Sequence, residues 1–175
     1  MSRFVAKISI TTPTESLILR SLARILPPAA YGYEQALLDL TDAHRRSYRG
    51  VAHELREVLR ETLDHLAPDV EVMADPDFDL EAGMTRPTQR QKALYVLHKR
   101  KRTKEEASGS ELTVNLVDEL SARIIRVSYR RGAKDAHTIC SAAEVRQLKM
   151  WIDAVLGELL QIHQHKILRS GMRPI

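Results

Sequence analysis

The sequence predicts an all-α protein, a bundle of about five helices with one long central helix. Apolar residues recur at intervals of three and four along most of the chain, which is the pattern of helices with one buried face. Only 5% of the residues are aromatic and only 7 are glycine, so an extensive β-sheet is disfavoured. With 175 residues, of which 43% are hydrophobic, the chain is long enough for one domain with a sizeable core.

Composition also predicts the setting in which the protein works. Its net charge of +4 and pI near 9.3 give a mild preference for anionic partners. Cys140 is the single cysteine, so we expect a reducing environment and a buried, unreactive thiol. The N-terminus lacks the apolar core of a signal peptide, and the chain has no apolar run of roughly 18 residues. These features predict a cytoplasmic protein without membrane contact.

The chain divides into three parts by composition. An N-terminal arm at 1–11 alternates loosely and also fits a short strand. A single helical domain follows at 12–165, and a basic tail at 166–175 ends the chain. Within the domain we predict an acidic loop at 67–84 and a basic helix at 85–104.

The first two helices are predicted from end signals and spacing. Thr12, Pro13 and Glu15 supply the N-cap, the first-turn proline and the third-position acid of a capping box. From Ala30 to Leu66 there is no internal proline, and the spacing predicts one continuous helix. Its predicted buried stripe consists of Tyr33, Leu37, Leu40, His44, Tyr48, Val51, Leu55, Val58, Thr62 and Leu66.

The two charged segments that follow carry opposite signs. All charged residues between 67 and 83 are acidic, and all those between 86 and 104 are basic. The carboxylates at Asp75–Glu81 alternate, but the glycine of an EF-hand loop and the lysine of a restriction-type nuclease site are absent. We therefore expect neither a metal nor a cofactor. We predict a solvated acidic loop that folds over the basic helix and masks a nucleic-acid surface.

Two further helices are predicted in the C-terminal part. Ser110 caps a helix that runs to about Arg131, where Gly132 is a suitable stop. Ser141 and Glu144 form a capping box that begins the last helix. That helix is expected to bury Val145, Leu148, Ile152, Val155, Leu159 and Ile162.

Basic side chains share one face of the predicted central helix. Arg46, Arg49, His53, Arg56 and Arg60 are separated by three or four positions, and this face points away from the apolar stripe. One interpretation is a solvated face that neighbouring glutamates partly screen. The other is an anion-binding face that meets a nucleic-acid backbone, since arginine forks match phosphate well.

A second basic array lies at 128–138 and contains Arg131 and His137. Because Gly132 follows, the array also fits a helix C-terminus, where cations are favourable. A third basic region is the predicted basic helix, which is either a solvated patch or a surface for sequence-independent phosphate contacts. The residues predicted to bind nucleic acid are Arg49, Arg56, Arg86, Arg90, Lys92, Lys99, Arg100, Lys101 and Arg102.

The spacing of arginine and histidine is similar to the Rx4-6H signature of HEPN-fold ribonucleases, small all-α proteins that often act as dimers. Six residues separate Arg46 from His53, and five separate Arg131 from His137. Arg49 and His53 are separated by three residues and do not fit the signature.

Four segments, at 47–69, 78–81, 87–97 and 129–138, extend this comparison. In order and spacing they resemble a bacterial family described as predicted nucleases associated with prokaryotic PIWI proteins. The resemblance covers roughly residues 40 to 165. It implies a predicted nuclease activity and a role in conflict with phages or plasmids.

If the chain is a nuclease, HEPN-like chemistry assigns His53 and His137 to proton transfer and Arg46 and Arg131 to the phosphate. We expect metal-independent acid–base cleavage, with RNA favoured over DNA, by a homodimer or by a subunit of a defence complex. One alternative is a non-catalytic helical subunit that binds nucleic acid or a defence partner. Another is a regulatory module that binds a nucleotide signal at the same arginines.

Overall fold

The structure, a computed structural model, describes residues 11–100 and 141–162, together with Val114, Asn115 and Glu119. Its elements are α1 (Pro13–Ile25), α2 (Pro27–Thr41), α3 (Arg49–Leu66), α4 (Asp69–Met73), α5 (Gln89–Lys99) and α6 (Ala142–Leu159). Every regular element in these residues is helical, which confirms the predicted all-α bundle. None of the described helices is long and apolar enough to cross a membrane.

Local capping fixes the start of α1 and its junction with α2. The Thr12 hydroxyl accepts a hydrogen bond from the Glu15 amide (3.2 Å), and the Glu15 carboxylate accepts one from the Thr12 amide (2.6 Å). The predicted capping box is therefore confirmed. Pro27 ends α1 and stands in the first turn of α2, where a missing N–H leaves no helical hydrogen bond unmade.

The prediction of one continuous helix at 30–66 is wrong, because the chain turns at 42–48. The Asp42 carboxylate accepts a hydrogen bond from the His44 amide (2.9 Å), and such local bonds compete with helical ones. The Tyr48 hydroxyl donates to the Asp42 carbonyl oxygen (2.9 Å), and the buried Tyr48 ring ties the turn to the core. His44, which the stripe places inside, is exposed.

The helix α3 lies at the centre of the described bundle and packs against α2, α5 and α6. Val51, Leu55 and Val58 are buried, as the predicted stripe requires. Leu59 and Leu63 are also fully buried although they lie outside that stripe. The reason is that neighbouring helices cover α3 on more than one side.

The segment at 67–84 is not a loop throughout, because Asp69–Met73 forms the short helix α4. Asp69 and Glu71 stand in its first turn, where the helix dipole favours acidic side chains. Val72 is completely buried and attaches α4 to the core.

The basic helix predicted at 85–104 begins later than expected. Thr88 caps α5: its hydroxyl accepts from the Gln91 amide (3.3 Å), and the Gln91 side-chain oxygen accepts from the Thr88 amide (3.0 Å). The helix ends at Lys99, and residues 101–104 lie outside the described residues.

The last helix is confirmed in both its start and its buried face. The Ser141 hydroxyl accepts a hydrogen bond from the Glu144 amide (3.3 Å), and the Glu144 carboxylate accepts one from the Ser141 amide (3.1 Å). The residues predicted to be buried on α6 are at most 4% exposed: Val145, Leu148, Ile152, Val155, Leu159 and Ile162.

Several predictions fall outside the described residues. These are the N-terminal arm up to residue 10, most of the helix at 110–131, Cys140 and the tail at 166–175. Within 110–131, the described residues Val114, Asn115 and Glu119 are helical, and Val114 is completely buried.

The helices α2 and α3 approach closely at Gly32. A Cβ atom there would lie 2.4 Å from Oε1 of Glu54 and 3.1 Å from Cγ2 of Val58. Glycine permits this contact because it carries no Cβ. Gly50, at the exposed start of α3, is different, since a Cβ there would have Nη2 of Arg45 as its nearest neighbour at 3.6 Å.

We predict that Gly32→Leu lowers the free energy of unfolding by about 2–3 kcal/mol, because the added side chain must separate α2 from α3. Gly50→Leu is the matched control and is expected to change it by less than about 1 kcal/mol. Urea denaturation followed by circular dichroism measures both. Equal effects of the two substitutions would contradict the close packing at Gly32.

Candidate nucleic-acid interface

The turn at 42–48 and the start of α3 bring three predicted site residues into one region. Arg46 lies in the turn, Arg49 is the first residue of α3, and His53 follows one helical turn later. All three are exposed. Arg49 and His53 share a face of α3, whereas Arg46 is not part of that helix, so the predicted five-residue helical face is shortened by one.

These three side chains have no hydrogen bond or ion pair to any described residue. The neighbouring Arg45 differs, because its guanidinium binds the Asp39 carboxylate (2.6 Å) and the Ser47 carbonyl oxygen (3.1 Å). Arg45 therefore braces the turn, while Arg46, Arg49 and His53 keep their donors for solvent or for a ligand.

The first turn of α3 adds to the positive character of this region. Tyr48 provides no side-chain cap, and no acidic residue stands in the first turn. The partial positive charge of the helix N-terminus is thus not offset locally by an acid. An anion here would meet cationic side chains and the helix dipole together.

The same face of α3 changes in character towards its C-terminal half. Arg56 is half-buried, and its Nε has no hydrogen-bond acceptor among the described residues. Arg60 is held by Glu57 and Asp64 at 2.7 Å each, and the hydrogen bond with Glu57 raises the pKa of Arg60 despite partial burial. The basic face therefore has an unpaired end at Arg49 and a neutralised end at Arg60.

The predicted cations of α5 are neutralised as well. Lys92 is buried, with its ammonium 2.5 Å from both Asp64 and Asp69. Burial opposes its charge, but these two carboxylates outweigh burial and raise the pKa of Lys92. Further ion pairs in this region join Arg86 to Asp69 (4.0 Å), Arg90 to Glu81 (3.6 Å) and Lys99 to Glu71 (2.9 Å).

Arg100 has a structural contact, since its guanidinium donates to the carbonyl oxygens of Glu158 and Leu159 at the end of α6. Such contacts satisfy carbonyl groups that a helix C-terminus leaves without partners. The other predicted site residues, Lys101, Arg102, Arg131 and His137, lie outside the described residues.

A second polar cluster was not predicted from the sequence. The Lys149 ammonium lies 2.5 Å from the carboxylates of both Glu15 and Asp153, and the Tyr33 hydroxyl donates to Asp153 (2.8 Å). The side chains of Glu15, Lys149 and Asp153 are only 12–16% exposed. They line one side of a cavity of about 690 Å³ between α1, α2 and α6.

Burial and pairing act differently on the acids of this cluster. Burial raises the pKa of Asp153 above its usual range, although Lys149 opposes the shift. At Glu15 burial also acts upwards, but the hydrogen bonds from Lys149 and Thr12 outweigh it and lower the pKa. Burial and the adjacent Asp153 carboxylate raise the pKa of Tyr33, which therefore remains a hydroxyl donor.

The sequence gives only a partial signal for this cluster. Lys149 and Asp153 are separated by four positions on one helix, which predicts their contact. Glu15 is recognisable as a capping residue and Tyr33 as a core residue, but their meeting with α6 depends on tertiary packing. Among the described residues, no group of three His, Cys, Asp or Glu side chains is arranged to hold a metal ion.

We predict that Lys149→Met lowers the free energy of unfolding at neutral pH by about 3–5 kcal/mol, because two buried carboxylates lose their cation. Without Lys149 the pKa of Asp153, which burial already raises, rises further, and the pKa of Glu15 loses the main contact that lowers it and also rises. The folded state then binds more protons, so the deficit relative to the wild type shrinks as pH falls towards 5.

Arg146→Met is the control, since Arg146 is exposed on the same helix and makes one hydrogen bond to the Leu40 carbonyl oxygen (3.3 Å). Arg146→Met should lower the free energy of unfolding less than Lys149→Met does, and by an amount that does not depend on pH. Denaturation of both variants between pH 5 and 8 makes the comparison, and a pH-independent deficit in Lys149→Met would contradict the role of the two acids.

Comparison with known proteins identifies the chain at the level of its family. Residues 30–156, from α2 into α6, match the family model described as predicted pPIWI-associating nuclease. This range contains Arg46, His53, Arg131 and His137 and leaves α1 outside. Searches of curated proteins and of solved structures gave no significant match. Because the matched range covers most of the sequence, the protein belongs to the family of predicted pPIWI-associating nucleases.

Proposed function

We propose that this protein is a nuclease of prokaryotic defence that cleaves RNA in preference to DNA, holds the substrate backbone at Arg46 and Arg49 and uses His53 for proton transfer. The observation that carries the proposal is the state of these side chains. They are exposed beside an uncapped helix N-terminus and have no ion pair among the described residues. Family membership supplies the nuclease class.

The proposed chemistry is metal-independent acid–base cleavage of the HEPN type. One histidine accepts the proton of the ribose 2′-OH, whose oxygen attacks the adjacent phosphorus. A second histidine protonates the leaving 5′-oxygen, and arginines stabilise the charge on the phosphorane. We assign the histidine roles to His53 and His137 and the arginine roles to Arg46 and Arg131. DNA lacks the 2′-OH, which is why the mechanism favours RNA.

The proposal requires His53 and His137 to meet at one phosphate, either within one chain or across a homodimer. The exposed position of His53 at the start of α3 is compatible with either arrangement. Following the family description, we propose that the protein works with a pPIWI protein as part of a defence complex.

We predict that His53→Ala reduces RNA cleavage by about 100-fold or more while RNA binding changes little, since general acid–base catalysis contributes in this range. His65→Ala is the matched control, because His65 is exposed on the same helix and is not assigned to the site. Single-turnover cleavage in EDTA and fluorescence anisotropy separate the two effects.

Cleavage that persists in His53→Ala would reject its catalytic role. A wild-type protein that binds RNA but cleaves neither RNA nor DNA, with or without Mg²⁺, would favour the alternative of a non-catalytic binding subunit. Loss of cleavage in EDTA would reject the metal-independent mechanism and leave the nuclease assignment in place.

Binding of the RNA phosphate backbone at Arg49 can be tested separately from cleavage. Arg49→Gln should weaken RNA binding several-fold for all sequences and reduce the slope of log K against log salt by roughly 0.7, the loss of one single-strand phosphate contact. Arg24→Gln removes the same charge from an exposed position on α1. Salt titrations that give the two variants the same slope would contradict a specific phosphate contact at Arg49.

A further inference from the structure

The acidic segment Asp69–Glu81 closes around α5 from two sides. On one side, α4 directs Glu71 to Lys99 (2.9 Å). On the other side, Glu81 reaches Arg90 (3.6 Å) and the Thr88 hydroxyl (3.2 Å). Cations of α5 that the sequence marks as candidate phosphate contacts are therefore paired with carboxylates of the preceding segment.

These pairs are of two kinds, which their exposure distinguishes. The Lys92 side chain is 8% exposed between Asp64 and Asp69, as expected for a structural anchor. The other pairs are open to water, with side-chain exposures of 59% for Lys99 and 44% for Arg90. Solvent and salt screen such pairs, so they contribute little to stability and exchange partners readily.

The acidic segment is also held independently of its exposed carboxylates. Val72 is completely buried, and Phe78 packs against the core. The Gln91 side-chain amide donates to the Asp79 carbonyl oxygen (2.7 Å). Glu71 and Glu81 are thus presented to α5 by a fixed backbone, and neutralising them leaves the attachment of the segment in place.

We propose that α5 is a second contact surface for a nucleic-acid backbone, on which Glu71 and Glu81 occupy the positions of phosphates until a substrate strand displaces them. The inference rests on the proposed function. Carboxylates and phosphodiesters are both anionic oxygen acceptors for ammonium and guanidinium groups, so one can replace the other. The helix α5 packs against α3 and reaches it at Asp64 through Lys92, so the two surfaces lie on adjacent helices, with the start of α3 at the end away from this contact.

Electrostatics favours a nucleic-acid strand over the two carboxylates that it displaces. A polyanion that replaces two carboxylates brings many charges at once and releases its own counterions, whereas each carboxylate remains attached to the chain. The acids therefore lower the affinity of every strand that must displace them, and a strand with many phosphates retains enough contacts to bind. This surface would favour long single strands over short fragments.

The test compares two double variants with the same change in net charge. Glu71→Gln with Glu81→Gln removes the paired carboxylates. Asp77→Asn with Asp79→Asn removes two exposed carboxylates of the same segment that have no ion pair among the described residues. The probe is a single-stranded RNA oligonucleotide with a scrambled sequence, and the readout is affinity as a function of salt.

We expect Glu71→Gln/Glu81→Gln to bind several-fold more tightly at low salt and to steepen the slope of log K against log salt by at least roughly 0.7, because Lys99 then binds a phosphate without first leaving a carboxylate. Asp77→Asn/Asp79→Asn should leave the slope unchanged. Adding Lys99→Gln and Arg90→Gln to the first variant should return the slope to the wild-type value.

Equal slopes and affinities in the two double variants would overturn the inference, since only net charge would then matter. No gain in Glu71→Gln/Glu81→Gln would also overturn it. These outcomes are distinct from a failure of the proposed function, in which the wild type neither binds nor cleaves nucleic acid. Thermal unfolding of all variants checks that each is folded.

Discussion

Burial of α3 on more than one side determines where the charged side chains of this helix can lie. Its apolar residues meet α2, α5 and α6, and Gly32 allows α2 to approach without a side chain between them. The remaining arc of α3 is polar and carries Arg49, His53, Arg56 and Arg60. Because α5 reaches α3 near Asp64 through Lys92, this arc has a covered end and an open end. The open end is where the turn at 42–48 places Arg46.

The all-α fold and the ends of several helices follow directly from the sequence, because capping boxes and apolar spacing are local signals. Thr12 and Ser141 illustrate this, as both cap helices at the predicted positions. The sequence does not predict the turn after Thr41, because the turn contains neither proline nor glycine. The turn depends on the hydrogen bond from the His44 amide to the Asp42 carboxylate, which is a weak signal in the sequence. It also depends on the burial of Tyr48, which is decided by tertiary packing.

Ion pairing separates the neutralised basic residues from those that keep their charge available, which their number and spacing do not. The sequence places Arg60 and Lys92, like Arg49, among the cations of a basic surface. In the structure Arg60 and Lys92 are each held by more than one carboxylate, whereas Arg49 is held by none of the described residues. Glu57 and Asp64 are recognisable partners of Arg60 from their spacing. The partners of Lys92 are visible only once α3, α4 and α5 are packed together.

The Lys149 cluster limits where the chain can be truncated. Its acid Glu15 belongs to α1, which lies outside the family match, yet α1 also supplies the buried side chains Ile18 and Leu22. A fragment that begins at residue 30 would expose the apolar side of α2 and α6 and leave Lys149 with one carboxylate. The packed core around Lys149 therefore extends beyond the range that matches the family, at its N-terminal end.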